Sequence, residues 1–119
     1  MTTTKTVELR RGYVDPDGNY HRTAVLTLPT IDDQIAAERD VIQLAADRED
    51  AALRLSDVLI EAALLARCTV QLGAIPDPTL EHIRALRRYD YIALRGALQV
   101  LEDEDEAAQL AEGKSSSAA

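Results

Sequence analysis

The sequence predicts an α+β fold: an N-terminal β-hairpin, a small bundle of three to four α-helices, and a disordered acidic and Ser/Ala-rich C-terminal tail. Three observations predict it. Residues 6–28 alternate apolar and polar side chains on either side of the turn sequence DPDG. From residue 30 onward apolar residues recur every three to four positions, the period of a helix. Residues 103–119 continue the acidic run Glu102–Glu106 and end in GKSSSAA, a composition that cannot build a core.

The hairpin follows a flexible start at residues 1–5. Val7, Leu9 and Tyr13 alternate with Glu8, Arg10 and Gly12; Tyr20, Ala24, Leu26 and Leu28 face away from His21, Thr23 and Thr27. Pro16 presets the turn dihedral and Gly18 tolerates positive φ. Symmetric pairing about DPDG sets Tyr13 across from Tyr20, Leu9 from Ala24 and Val7 from Leu26. It also sets Arg11 opposite Arg22, which like charges disfavour. Either both arginines reach outward, or a bulge shifts the register. Two strands alone are marginal, so helices beneath or further strands beside them are needed.

Pro29 stops the second strand, and Thr30 with Asp32 and Asp33 opens a helix at about 30–46. Ile31, Ile35, Ile42 and Ala45 give it one apolar stripe, opposite Asp32, Glu38, Arg39 and Asp40. A charged break, DREDA, precedes a central helix at about 50–72, closed by Gly73. There Leu55, Val58, Leu59, Ala62, Leu65, Ala66 and Val70 cover more than half the circumference. After the loop AIPDPT, with Asp77 as N-cap and Pro78 at the first helical position, come a short helix at 78–86 and a last helix at 88–102.

One domain over residues 6–102 accounts for the chain, and at 46% hydrophobic residues it has enough apolar surface to fold. With no Phe or Trp, the core is aliphatic. A net charge of -8 argues against nucleic acid as a partner. The longest apolar run, VLIEAALLA, is broken by Glu61 and too short for a membrane span. No signal-peptide pattern is present, and the lone Cys68 reads as a small buried hydrophobe. The chain thus reads as cytoplasmic.

No catalytic, metal or cofactor constellation is found. His21 and His82 lack ligand-spaced companions, and Asp32–Asp33 at a helix start read as dipole partners. The last helix carries more information. Tyr91, Leu94, Leu98 and Leu101 form a coiled-coil-like seam, and Ile92, Ala93, Gly96 and Val100 form a second apolar side. Either both sides are covered within the domain, or one is spare for a second copy or a partner helix. Arg84, Arg87, Arg88 and Arg95 read as a solvated face paired with Glu81 and Asp90, or as a contact for an acidic partner or another copy's acidic block. Partner-contact candidates are therefore Tyr89, Tyr91, Leu94, Leu98, Leu101, Arg84 and Arg88.

The hairpin ending LTLP, the helix opening TIDDQIAAERD and the closing pattern I-x-x-L-x-x-Y-D-Y-x-x-L-x-x-A-L resemble the tail assembly chaperone family of long-tailed bacteriophages and prophages. Pro29, Asp33, Leu86 and Asp90, with Tyr91 and Leu94, carry the resemblance across residues 6–102; the DREDA segment and the Arg-rich approach to Asp90 depart from it. The resemblance implies a chaperone in the host bacterial cytoplasm. It would coat the tape measure protein, keep it soluble, and be absent from the mature virion. It also implies a longer, frameshifted product that recruits tail tube protein, and Glu112-Gly113-Lys114 is compatible with a slippery codon heptamer. Self-association and many weak contacts along one partner fit such a role. The competing expectations are a structural tail or head–tail connector component of the virion, and a small regulatory binding module.

Overall fold

The computed structural model describes the backbone of residues 4–118 and the side chains of residues 4–113. Strands β1 (Thr4–Val14) and β2 (Tyr20–Thr27) form the hairpin; helix α1 (Ile31–Asp47), a 3-10 turn (Ala51–Leu55) and α2 (Asp57–Cys68) follow. Next come β3 (Thr69–Leu72), β4 (Ile75–Pro76), α3 (Leu80–Arg84) and α4 (Arg88–Ala118). The four strands make one antiparallel sheet in sequence order, so the fold is α+β as the patterning predicts. β1 begins at Thr4, earlier than expected, because Thr4 and Lys5 pair with Thr27 and Leu26. The Ser/Ala end lies outside the residues whose side chains are described. The acidic run, by contrast, is helical, part of α4 and exposed except for the half-buried Asp105.

The hairpin register differs from the symmetric one. Val14 pairs with Tyr20, Tyr13 with His21 and Val7 with Ala24. Between Glu8 and Tyr13 the ladder breaks: Leu9, Arg10, Arg11 and Gly12 stand opposite Arg22 alone. A bulge therefore relieves the Arg11–Arg22 clash. Gly12 sits in the bulge at φ 74°, and a Cβ there would meet the His21 carbonyl oxygen at 2.0 Å. Tyr20 is exposed, whereas His21 is buried under the β3–β4 turn.

The expected helix over 50–72 is cut at both ends. Asp50 caps the 3-10 turn, and Ser56 caps α2 by accepting from the Leu59 N–H at 3.3 Å. At the far end the β-branched pair Thr69–Val70 leaves the helix, and Thr69, Gln71 and Leu72 pair with the free edge of β2. Gly73, expected as a helix cap, instead turns β3 into β4 at φ 58°. Asp77 has positive φ and Pro78 is buried before α3, whose N-cap is Thr79.

One cluster joins sheet and helices: Leu9, Ala24 and Leu26 from the hairpin, Leu65 and Ala66 from α2, Leu72, Ile83, and Leu94, Leu98 and Leu101 from α4. A second, smaller cluster packs Ala37 and Val41 of α1 against Ala63 of α2. Small residues let these two helices approach closely. That turns the expected isoleucine stripe outward: Ala45 is buried, but Ile31 is 75% exposed and Ile42 50% exposed, with Ile35 beside them. Leu55, Val58 and Val70, expected in the core, are exposed as well.

Candidate functional site

The residues that carry the family resemblance hold the fold together. Thr30 and Asp33 close a capping box: the Asp33 N–H donates to the Thr30 hydroxyl at 3.3 Å, and the Thr30 N–H donates to Asp33 Oδ2 at 2.8 Å. Pro29 separates β2 from this cap, and Leu86 packs against the main cluster. Asp90 is 1% exposed. Its carboxylate accepts from the backbone N–H groups of Arg10 at 2.7 Å, Arg11 at 3.1 Å and Gly12 at 2.9 Å. The bulge frees these donors from the ladder, and the first turn of α4 supplies the acceptor. Asp90 therefore does not pair with the arginines around it.

The leucine seam is also structural. Leu94, Leu98 and Leu101 are buried in the monomer's own core, and Tyr91 is half-buried with its hydroxyl donating to Glu61. Burial first, then the Glu61 carboxylate, raises the Tyr91 phenol above its ordinary value. Leu94, Leu98 and Leu101, expected as a partner-gripping surface, are therefore core, and Tyr91 packs half-buried against them. Glu61, which interrupts the apolar run in the sequence, accepts from Tyr91 and lies 3.7 Å from Arg95. Tyr89, Arg84 and Arg88 are exposed, and Arg10 stacks over the Tyr89 ring at 5.5 Å.

Both histidines, distant in sequence, flank Tyr13: His82 edge-on at 4.8 Å between ring centroids and His21 tilted at 6.1 Å. His21 Nδ1 accepts from the Ala74 N–H at 3.1 Å, so Nε2 carries the ring proton and donates to Asp15 Oδ2 at 2.9 Å. His82 Nδ1 accepts from the Thr79 N–H at 3.0 Å, tying down the start of α3. Both rings are thereby engaged in structural bonds.

The hydrogen bond from His21, then that from the Asn19 backbone, holds the Asp15 carboxyl below its usual 3.8. A carboxyl depressed in the folded chain stabilises the fold above its unfolded value; that contribution is lost as pH falls through the lower folded value. The urea midpoints of the wild type and Asp15→Asn should therefore differ near neutrality and converge as the pH falls below the ordinary carboxyl value of 3.8. A constant gap across that range would remove the pair from the stability account.

A surface cleft of about 460 Å³ lies between α1, α2 and α3. Across it Arg67 makes two bonds to Asp40, at 2.9 and 2.8 Å, while Asp47, Glu81 and Arg84 line its sides. Its charges are mixed, and Arg67 and Asp40 pair with each other. Cys68 is buried, and desolvation pushes its thiol up to about 12, which disfavours the thiolate. Among the described residues no three His, Cys, Asp or Glu side chains could jointly hold a metal ion, and no helix is long and apolar enough to cross a membrane.

The α1 stripe of Ile31, Ile35 and Ile42 is flanked by exposed Asp32, Glu38 and Arg39, and the outer side of α4 carries exposed Tyr89, Ile92, Val100 and Leu110. Sequence reasoning missed the first because it assigned the largest side chains to the core. The signal that would have found it is the Ala37–Val41–Ala45 spacing matched by alanines in α2. No family model matches the chain, and no curated protein or solved structure matches it either.

Proposed function

We propose that this chain is a non-catalytic chaperone that holds an amphipathic helix against α1, with the tape measure protein of a long-tailed phage as that helix. The observation that carries the binding mode is the aliphatic stripe Ile31, Ile35 and Ile42, solvent-exposed on a chain of net charge -8. A helix with an apolar face and mainly basic flanks complements a stripe bordered by two carboxylates, Asp32 and Glu38, and one arginine, Arg39. The acidic remainder of the surface keeps such a complex dispersed. The identity of the partner comes from the resemblance carried by Pro29, Asp33, Leu86 and Asp90, as do recruitment of tube subunits by a longer frameshifted product, work in the host cytoplasm and absence from the finished virion.

Co-expression with the tape measure protein encoded beside it tests this reading. Wild-type chain should keep that protein soluble and co-purify with it in many copies. Ile35→Asp/Ile42→Asp, which alters exposed positions and leaves the far-UV spectrum intact, should weaken capture by roughly tenfold or more. Full capture by the double variant would overturn the α1 assignment; an insoluble tape measure protein beside wild-type chain would overturn the chaperone role of this product. Recovery of the chain in purified particles would favour a structural tail component instead.

A further inference from the structure

The outer side of α4 has a pattern that the partner-binding reading leaves unused. With the leucine seam turned into the core, the opposite side of the helix presents Tyr89, Ala93, Gly96, Val100, Asp103, Ala107 and Leu110, all exposed, at alternating spacings of four and three. Leu110 is 62% exposed and Val100 44%. At Gly96 nothing lies within 4 Å of where a Cβ would stand, so the middle of this stripe is open to a close neighbour. Beyond Leu101, among residues 102–113, only Asp105 and Ala108 are even half-buried. The five consecutive carboxylates of Glu102–Glu106 repel one another, and among the described residues they make one ion pair with the rest of the chain, Lys5 to Glu104 at 3.3 Å.

The charges beside the stripe say what would cover it. Along one flank, at helical spacing, run Arg88, Ile92, Arg95, Gln99, Glu102 and Glu106: basic at the start, neutral in the middle, acidic at the end. This order is complementary to itself when reversed. An antiparallel copy of α4, related by a two-fold axis near Leu98 and Gln99, sets Arg95 against Glu102 and brings Arg88 within a turn of Glu106 on both sides of the axis. It brings Asp103 beside Gly96, which has no side chain to oppose it. A parallel copy would set Arg88 against Arg88, Glu102 against Glu102 and Asp103 against Asp103. Among the described residues Arg88 has no ion-pair partner within the chain, and Arg95 has only Glu61 at 3.7 Å.

We infer that the occupant of this face is a second copy of the same chain: the protein forms an isologous dimer through antiparallel pairing of α4, with Ile92, Gly96, Val100 and Leu110 at the contact and Arg88 and Arg95 facing Glu106 and Glu102 of the other copy. Each dimer then presents two α1 stripes. The inference stands independently of the tape measure reading, since it concerns the chain alone.

Sedimentation equilibrium of the full chain tests it. Wild type should be dimeric. Arg88→Glu/Arg95→Glu and Glu102→Arg/Glu106→Arg should each dissociate roughly tenfold or more readily, and an equimolar mixture of the two should regain the dimer. Circular dichroism identifies any variant that has lost the fold, and Val100→Glu supplies a second disruption without a charge swap. Orientation is read by disulfide trapping, where Gly96→Cys mixed with Asp103→Cys should cross-link and Gly96→Cys alone should not. A wild-type monomer would overturn the inference. So would a dimer insensitive to both charge pairs, one disrupted by Ile35→Asp/Ile42→Asp instead, or efficient homodisulfide formation by Gly96→Cys.

Discussion

Asp90→Ala is expected to cost about 3–5 kcal/mol, a large part of the roughly 5–15 kcal/mol that holds a domain of this size together. The reason lies in the bulge. Arg10, Arg11 and Gly12 turn three N–H groups away from β2, and the Asp90 carboxylate accepts from all three. Truncation leaves these donors without a protein acceptor in a place where the Gly12 N–H has no route to water. The bulge itself cannot relax, because the Gly12 backbone lies against the His21 carbonyl. Asp90→Asn keeps an acceptor oxygen but aims an amide N–H₂ at the same donors, so only part of the loss should be recovered. Urea unfolding followed by circular dichroism reads both values. A loss below about 1 kcal/mol for Asp90→Ala would show that the bulge is held by packing alone.

Leu94→Ala should cost about 2–5 kcal/mol, because Leu94 is fully buried where α4 meets the cluster of Leu9, Leu26 and Leu65. Val100→Ala, under two turns further on but on the exposed side, should change the stability of the dissociated monomer by no more than about 0.5 kcal/mol. The contrast separates the two sides of the helix. A partner-gripping leucine seam requires the reverse outcome: little loss of stability at Leu94, and a loss of binding. Paired unfolding curves for these two variants decide between them.

The sequence made the hairpin, the capped start of α1 and the existence of α4 legible, since each rests on local chemistry: DPDG for the turn, Thr30 with Asp33 for the cap, and a sustained apolar period for the helix. The register was not legible, because the bulge that sets it is completed by Asp90, some eighty residues away in the chain. Helix α2 and β3 merged in the pattern because Thr69–Leu72 keeps the apolar content of the preceding helix; the change of state depends on the vacant edge of β2, a tertiary fact. On α1 the isoleucines outweigh the alanines in any count of hydrophobicity, yet alanine-to-alanine approach fixes which side faces α2. The candidate site inherited that inversion. The Leu94 seam, chosen for its apolar content, belongs to the core for that same reason, whereas the weaker sides of α1 and α4 are the ones left to solvent.

The central claim is that α1, not the leucine seam of α4, is where a partner helix is held. Amide hydrogen exchange on this chain, free and bound to a soluble segment of the tape measure protein, tests it most directly. The account predicts added protection across residues 31–45 and little change across 90–101, which the core already shields. Complex formation with new protection confined to α4, and none along α1, would contradict it.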